Sequence, residues 1–204
     1  DLGTRDVASA DARAVSDAIT ILKALLPGQP LTVTMGDQSV FEAVVAALGL
    51  PQGWQRRMIH AFGEALKLDA LIARLERPET VADLGPEVEA LLAAGDEAAL
   101  VGHIDAIMQQ TGYSTNASRS PISIARRLRE KRVLARTALD PSKLAVLREF
   151  LSLNVSLKYA PDVFASFARA AGLQLDGAVS RFDARVAALA NIGVDLSTVT
   201  WRAA

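Results

Sequence analysis

The apolar positions of the chain begin at helical spacing. Within residues 9–26, Val15, Ala18, Ile19, Leu22, Leu25 and Leu26 recur three and four apart, with Ser9 placed as an N-cap and Pro27-Gly28 as the stop. The period then shortens to two. Leu31, Val33 and Met35 alternate with Thr32 and Thr34, which predicts a half-buried strand over 31–36. Gly36-Asp37 turns the chain, and Asp37 is placed to cap a helix whose inner face is Val40, Phe41, Val44, Val45 and Leu48, closed by Gly49 and Pro51.

From Pro51 the pattern is helical and predicts no strand for more than a hundred residues. Helices are expected over 53–62, then on to Leu75 across a break at Gly63, over 86–94, over 96–110 before Gly112, over 121–137 with Pro121 as first helical residue, and from Asp140-Pro141 onward. A last pair is expected at 161–171 and 176–191, ended by Gly172 and Gly193, the second with Val179, Phe182, Val186 and Leu189 as its inner stripe. The Ser/Thr/Asn-rich residues 113–120 read as an exposed loop. Residues 197–203 alternate again. Two lone strands leave their backbone groups unpaired, so the simplest arrangement joins 31–36 and 197–203 in one antiparallel sheet. The expected fold is α+β and predominantly helical.

Composition narrows the functional classes. Half of the 204 residues are hydrophobic, enough for a buried core, and the net charge of -1 with mixed signs throughout gives no overall field for a polyanion. The chain has no cysteine, which removes disulfides, thiolate catalysis and cysteine metal sites and suits a reducing cytoplasm. No apolar run approaches the ~18 residues that cross a bilayer, so membrane insertion is not expected. The chain opens on Asp1 rather than methionine and closes on an uncapped alternating stretch, as expected of a piece of a longer protein.

The candidate chemistry is sparse. Gly36-Asp37-Gln38-Ser39 joins a strand to a helix, yet it lacks the glycines of a dinucleotide loop and the Gly-Lys-Ser/Thr of a P-loop, and Asp37 repels phosphate; it reads as a turn and cap. His60 has Glu64 four residues on, a pair that supplies two metal ligands at most and that the break at Gly63 divides. His103 and Asp105 are two apart and point to different faces, which leaves a partner distant in sequence open. Arg126, Arg127, Arg129, Lys131, Arg132 and Arg136 against Glu130 form the one strong charge cluster, on a helix with Ile122, Ile124, Ala125, Leu128 and Leu134 on its inner side. That cluster reads first as a solvated face, then as a protein contact, and last as a nucleic-acid contact, since no stacking aromatics accompany it. Trp54 reads as a core anchor, with Arg56 and Arg57 beside it as candidates for carboxylates or phosphates. No serine stands in a nucleophile elbow. No catalytic, cofactor-binding or metal residue is assigned.

Three segments carry a resemblance. MGDQSVFEAVVAALGLPQGWQRRMIHAFG (35–63), with its Gly-Asp turn, Leu-Pro and Gly-Trp-x-Arg-Arg, resembles the ATP phosphoribosyltransferase regulatory subunit family; so do ADARAVSDAI (10–19), similar to the helix after motif 2, and FDARVAALANIGVDLSTVTWRAA (182–204). The resemblance implies a partial class II aminoacyl-tRNA-synthetase-like antiparallel sheet with a helical insertion: residues 1–50 and 151–204 as synthetase-like core and 51–150 as the insertion. It implies a cytoplasmic protein, itself not an enzyme, that assembles with a short-form ATP phosphoribosyltransferase catalytic subunit and conveys histidine feedback in the first step of histidine biosynthesis. The contact with that subunit is expected within 54–75 and 121–137. The family's motif 2 strands are expected before Asp1 and its histidine-binding segment after Ala204. Arg13 departs from the acidic residue usual in synthetases; a histidyl-tRNA synthetase fragment is the alternative, and an independent helical interaction module a third reading. The exposed strand edges at 31–36 and 197–203 are expected to drive self-association.

Overall fold

Residues 7–77, 84–112 and 120–204 are described in the computed structural model, which divides into two compact units, one of residues 1–71 and 140–204 and the other of 72–139. The predicted loop at 113–119 lies outside the described residues.

In the first unit, α1 (Val7–Leu25) is followed by β1 (Val33–Met35), α2 (Gln38–Ala47), α3 (Gln52–His60) and the start of α4 (Ala65–Glu76). The chain returns to this unit with α8 (Pro141–Ser152), β2 (Asn154–Ser156), α9 (Ala160–Ala170), α10 (Asp176–Asn191), a 3-10 turn at Leu196–Thr198 and β3 (Val199–Arg202). Several predicted boundaries hold for local reasons. Asp37 Oδ1 accepts from the backbone N–H groups of Ser39 and Val40 at 2.9 and 3.2 Å and so caps α2. Gly63, at φ +78°, separates α3 from α4 in a conformation that a side chain disfavours. Asp140 caps α8 through the Ser142 N–H at 2.8 Å, with Pro141 in its first turn.

The sheet differs from the expectation in direction and in number. Its order is β1-β3-β2: Val33, Thr34 and Met35 lie parallel to Val199, Thr200 and Trp201, and β2 runs antiparallel to the other side of β3. Alternation fixes which face a strand buries but carries nothing about its direction. A hairpin-like pairing therefore had no support across the helices that separate β1 from β3. The third strand had a signal: Leu153, Val155 and Leu157 alternate with Asn154 and Ser156, a short period-2 run at the end of a helix. Because β3 is paired on both sides, residues 197–203 offer no free edge, whereas β1 pairs only with β3 among the described strands.

The core of this unit is aromatic. All six phenylalanines take part: Phe62 meets Phe41 at 5.3 Å between ring centroids, Phe41 meets Phe150, and Phe150 continues to Phe167 at 5.5 Å and to Phe164. Phe164 meets Phe182 edge-on at 6.0 Å, and Phe182 packs on Trp201 at 5.1 Å, so the chain of rings runs from α2 to the central strand. On α10 the buried stripe is Ala178, Phe182, Val186 and Leu189, with Val179 only half-buried. On α1 the expected stripe fails at its far end: Leu22, Leu25 and Leu26 are exposed.

In the second unit, α5 (Pro86–Ala94), α6 (Glu97–Gln110) and α7 (Pro121–Arg136) enclose a small core of Leu92, Leu100, Ile104, Met108 and Ala125, flanked by half-buried Ile124 and Leu128. Ser120 and Asp96 cap α7 and α6.

Candidate functional site

The turn after β1 is built around a carboxylate with two tasks. While Asp37 Oδ1 caps α2, its Oδ2 accepts from Arg185 Nη1 on α10 at 2.8 Å. The same Arg185 nitrogen donates to Ser39 Oγ at 2.7 Å, and Ser39 Oγ in turn donates to Asp37 Oδ1 at 2.7 Å. Arg185 Nε donates to Asp11 Oδ2 on α1 at 3.1 Å. One guanidinium thus ties α1, the α2 N-terminus and α10 together. Asp37 is mostly buried and Asp11 half exposed, so the inner bond is the better screened from water and the stronger of the two.

This clamp forms one rim of a cavity of about 540 Å³. Its floor is apolar, with Met35 from β1, Trp201 from β3, Leu157, and Phe182, Val186 and Leu189 from α10. Asp11, Asp37, Gln38, Ser39, Glu42 and Arg185 supply its polar edge. Trp201 is 1 % exposed, and its indole N–H has no acceptor among the described residues. The parallel register places Met35 beside Trp201, which brings two large side chains from distant segments to one floor. Gly36 keeps the turn close: a Cβ there would stand 2.9 Å from Phe62 Cζ.

The arrangement offers a shaped apolar space and a fixed ion pair. The Ser39 hydroxyl of the cluster is engaged as donor to Asp37 and as acceptor from Arg185. The turn at 36–39 is therefore a turn and cap, as its sequence implies, with a cationic partner that the local sequence does not reveal. A signal for that partner exists. Arg185 lies three residues after Phe182 and four before Leu189, on the border of a buried stripe, where a guanidinium requires a carboxylate.

The other candidates separate. His60 is exposed, and Glu64 pairs with Lys67 at 2.6 Å rather than with His60. His103 Nδ1 stands 3.5 Å from Glu87, a partner from another helix, while Asp105 accepts from Gln109 at 2.8 Å. Of the basic residues on α7, Arg129 pairs with Glu97, and Arg132 and Arg136 share Glu89 at 3.5 and 3.6 Å. Arg126, Arg127 and Lys131 are exposed and have no ion-pair partner among the described residues. Trp54 is buried, and the Arg57 guanidinium lies 5.4 Å from its ring centroid, a cation–π contact. Among the described residues no group of three or more metal-ligating side chains occurs, and no helix is long and apolar enough to cross a membrane.

The clamp joins the three segments that carry the family resemblance: Asp11 lies in 10–19, Asp37 and Ser39 in 35–63, and Arg185 in 182–204. Over all 204 residues the chain is 62 % identical to a protein of Rhizobium rhizogenes and 60 % identical to one of Allorhizobium ampelinum, each named ATP phosphoribosyltransferase regulatory subunit. A protein of the same name from Sinorhizobium medicae is 55 % identical over 207 aligned positions. The chain spans about half the length of these relatives, 55 % in each case. No family model and no solved structure matches it.

Proposed function

We propose that this chain is part of an ATP phosphoribosyltransferase regulatory subunit, a protein that catalyses nothing itself and switches on a separate short-form catalytic subunit in the first step of histidine biosynthesis. The observation that carries this reading is identity of 55 to 62 % along the whole chain to proteins of that name. The clamp supports it from the structural side, since the three resembling segments are those that Arg185 holds together. Residues 1–50 and 151–204 are read as the synthetase-like core and the helical stretch within 51–150 as an insertion. Histidine acts on the complete protein, in the cytoplasm, as feedback effector. The catalytic subunit is met through surfaces within 54–75 and 121–137, where Arg126, Arg127 and Lys131 on α7, exposed and without an ion-pair partner among the described residues, favour an acidic partner face.

The test is reconstitution of the full-length protein with the short-form catalytic subunit, following ATP condensation with phosphoribosyl pyrophosphate. Activity is expected only from the mixture, with histidine lowering it. Equal activity from the catalytic subunit alone would overturn the reading, and transfer of histidine to tRNA by the full-length protein would replace it with the synthetase alternative. Replacing Arg126, Arg127 and Lys131 together by glutamate is expected to raise the catalytic-subunit concentration needed for half-maximal activation; an unchanged titration would remove α7 from the interface.

A further inference from the structure

The sequence lays a continuous apolar stripe along α1, and the structure covers only its first half. Ala12 is buried, and Asp11, Ala14 and Val15 line the cavity, but Ile21, Leu22, Leu25 and Leu26 are 57, 45, 71 and 46 % exposed. Positions 11, 15, 18, 22 and 25 recur three and four apart, so the cavity wall and the bare end share one face of the helix. Four adjacent large aliphatic side chains facing water form the kind of contiguous patch that marks a contact surface. One further feature of the same unit is unfinished: β1 has an unpaired edge among the described strands.

We propose that the exposed face of α1 and the cavity beside it are covered, in the intact protein, by a portion of the same polypeptide outside these 204 residues. The relatives are nearly twice as long as this chain, so they carry further polypeptide of the length needed to cover such a patch. The patch does not suit a second copy or a separate subunit as its sole occupant: four side chains fall far short of the roughly 20–30 residues a side that a stable interface engages. Nor does its charge select such a partner, since Lys23 is the one basic residue in the last turn of α1 and no acidic residue stands in its first turn. The covering segment brings aliphatic or aromatic side chains to Leu22, Leu25 and Leu26. This inference is independent of what the protein regulates.

The experiment uses the full-length polypeptide with a photo-activated benzophenone amino acid in place of Leu25, and in a separate sample in place of Thr20, an exposed residue about 140° away round α1. After irradiation, cross-linked peptides are identified by mass spectrometry in a mixture of ¹⁵N-labelled and unlabelled protein. Probe at position 25 is expected to join peptides of the same molecule from outside residues 1–204, at least about ten-fold more often than probe at position 20. Cross-links that mix the isotopes, cross-links to an added catalytic subunit, or none at all would each overturn the proposal. Because the probe is bulkier than leucine, hydrogen exchange of the unmodified full-length protein gives a second readout. The amides of 22–25 are expected to exchange at least ~100-fold more slowly than a frayed helix end, and exchange at the fraying rate would overturn the proposal equally.

Discussion

Replacing Arg185 by methionine keeps the apolar stem of the side chain against α10 and removes the guanidinium, so the change isolates the clamp. Three hydrogen bonds go: to Asp37 at 2.8 Å, to Ser39 at 2.7 Å and to Asp11 at 3.1 Å. They are unequal. The Asp37 side chain is 12 % exposed and that of Asp11 is 53 % exposed. A bond to a charged group that is mostly shielded contributes about 1.5–3 kcal/mol, whereas a water-exposed ion pair contributes about 0–1 kcal/mol. The lower part of the first range applies to Asp37, because its other oxygen keeps three donors, Ser39 N–H, Ser39 O–H and Val40 N–H. Arg185→Met is therefore expected to lower stability by about 2 kcal/mol, nearly all of it through Asp37.

The assay is urea unfolding of the full-length protein followed by tryptophan fluorescence, since Trp54 and Trp201 both lie in the unit that contains the clamp. Asparagine is as good an N-cap as aspartate, so Asp37→Asn keeps the cap but removes the charge and puts an N–H donor where Oδ2 accepted from Arg185. A double-mutant cycle of Arg185→Met with Asp37→Asn is expected to show coupling of about 1.5 kcal/mol, and the cycle with Asp11→Asn less than about 0.5 kcal/mol. Equal couplings in the two cycles would refute the argument from burial. Coupling to Asp37 below about 0.3 kcal/mol would mean that the clamp contributes nothing to the fold.

Two smaller changes test the turn and a cap. Gly36→Ala sets a Cβ 2.9 Å from Phe62 Cζ and forces that ring off Phe41, at a cost of about 1–3 kcal/mol in urea unfolding; Phe62→Leu in the same chain is expected to recover part of it, and a Gly36→Ala protein as stable as the parent would show that the ring moves freely. Hydrogen bonds from the Ser142 hydroxyl and backbone N–H hold the Asp140 carboxyl below the ordinary 3.8, and the Ser197 hydroxyl and N–H do the same for Asp195. A lowered folded-state pKa gives stability that is fully present above 3.8 and is lost as pH falls through the still lower folded value. Asp140→Asn should therefore lower the urea midpoint at pH 6 and converge on the parent as pH falls below 3.8 and through the folded value; a gap that stays constant with pH would refute the charge-based cap.

The elements legible in the sequence are those whose cause is local. Asp37 before α2, Pro121 and Pro141 at helix starts, and Gly63 between α3 and α4 announce themselves because the residue that ends or caps a helix stands next to it. The direction of β1 against β3 was not legible, since Val33 and Met35 alternate identically whichever way the neighbouring strand runs. Arg185 was hidden for a related reason: its partners Asp11 and Asp37 lie 174 and 148 residues away, and only its place on the edge of a buried stripe hints that it needs them. The basic helix misleads in the opposite sense, because three of its cations, Arg129, Arg132 and Arg136, are matched by Glu97 and Glu89 within their own unit.

The far end of α1 is a different kind of disagreement. At β1 the pattern was silent about direction, whereas at Leu22, Leu25 and Leu26 it made a definite statement, burial, that the structure of these 204 residues does not meet. A helix of this length gains little from propensity alone and is held by packing of its apolar face, so leaving three leucines in water is costly on one side of the accounts and without return on the other. Residues 35–63 and 182–204, which share the clamp and the same cavity, show no comparable failure: Val40, Phe41, Val44, Phe182, Val186 and Leu189 are all buried as their spacing requires. The discrepancy is thus confined to one surface, the surface that adjoins the open cavity wall of Asp11, Ala14 and Val15. The stripes of α2 and α10 hold apart from half-buried Val179, so three exposed leucines in a row describe a contact of the complete polypeptide, and the cross-linking at position 25 reads that contact directly.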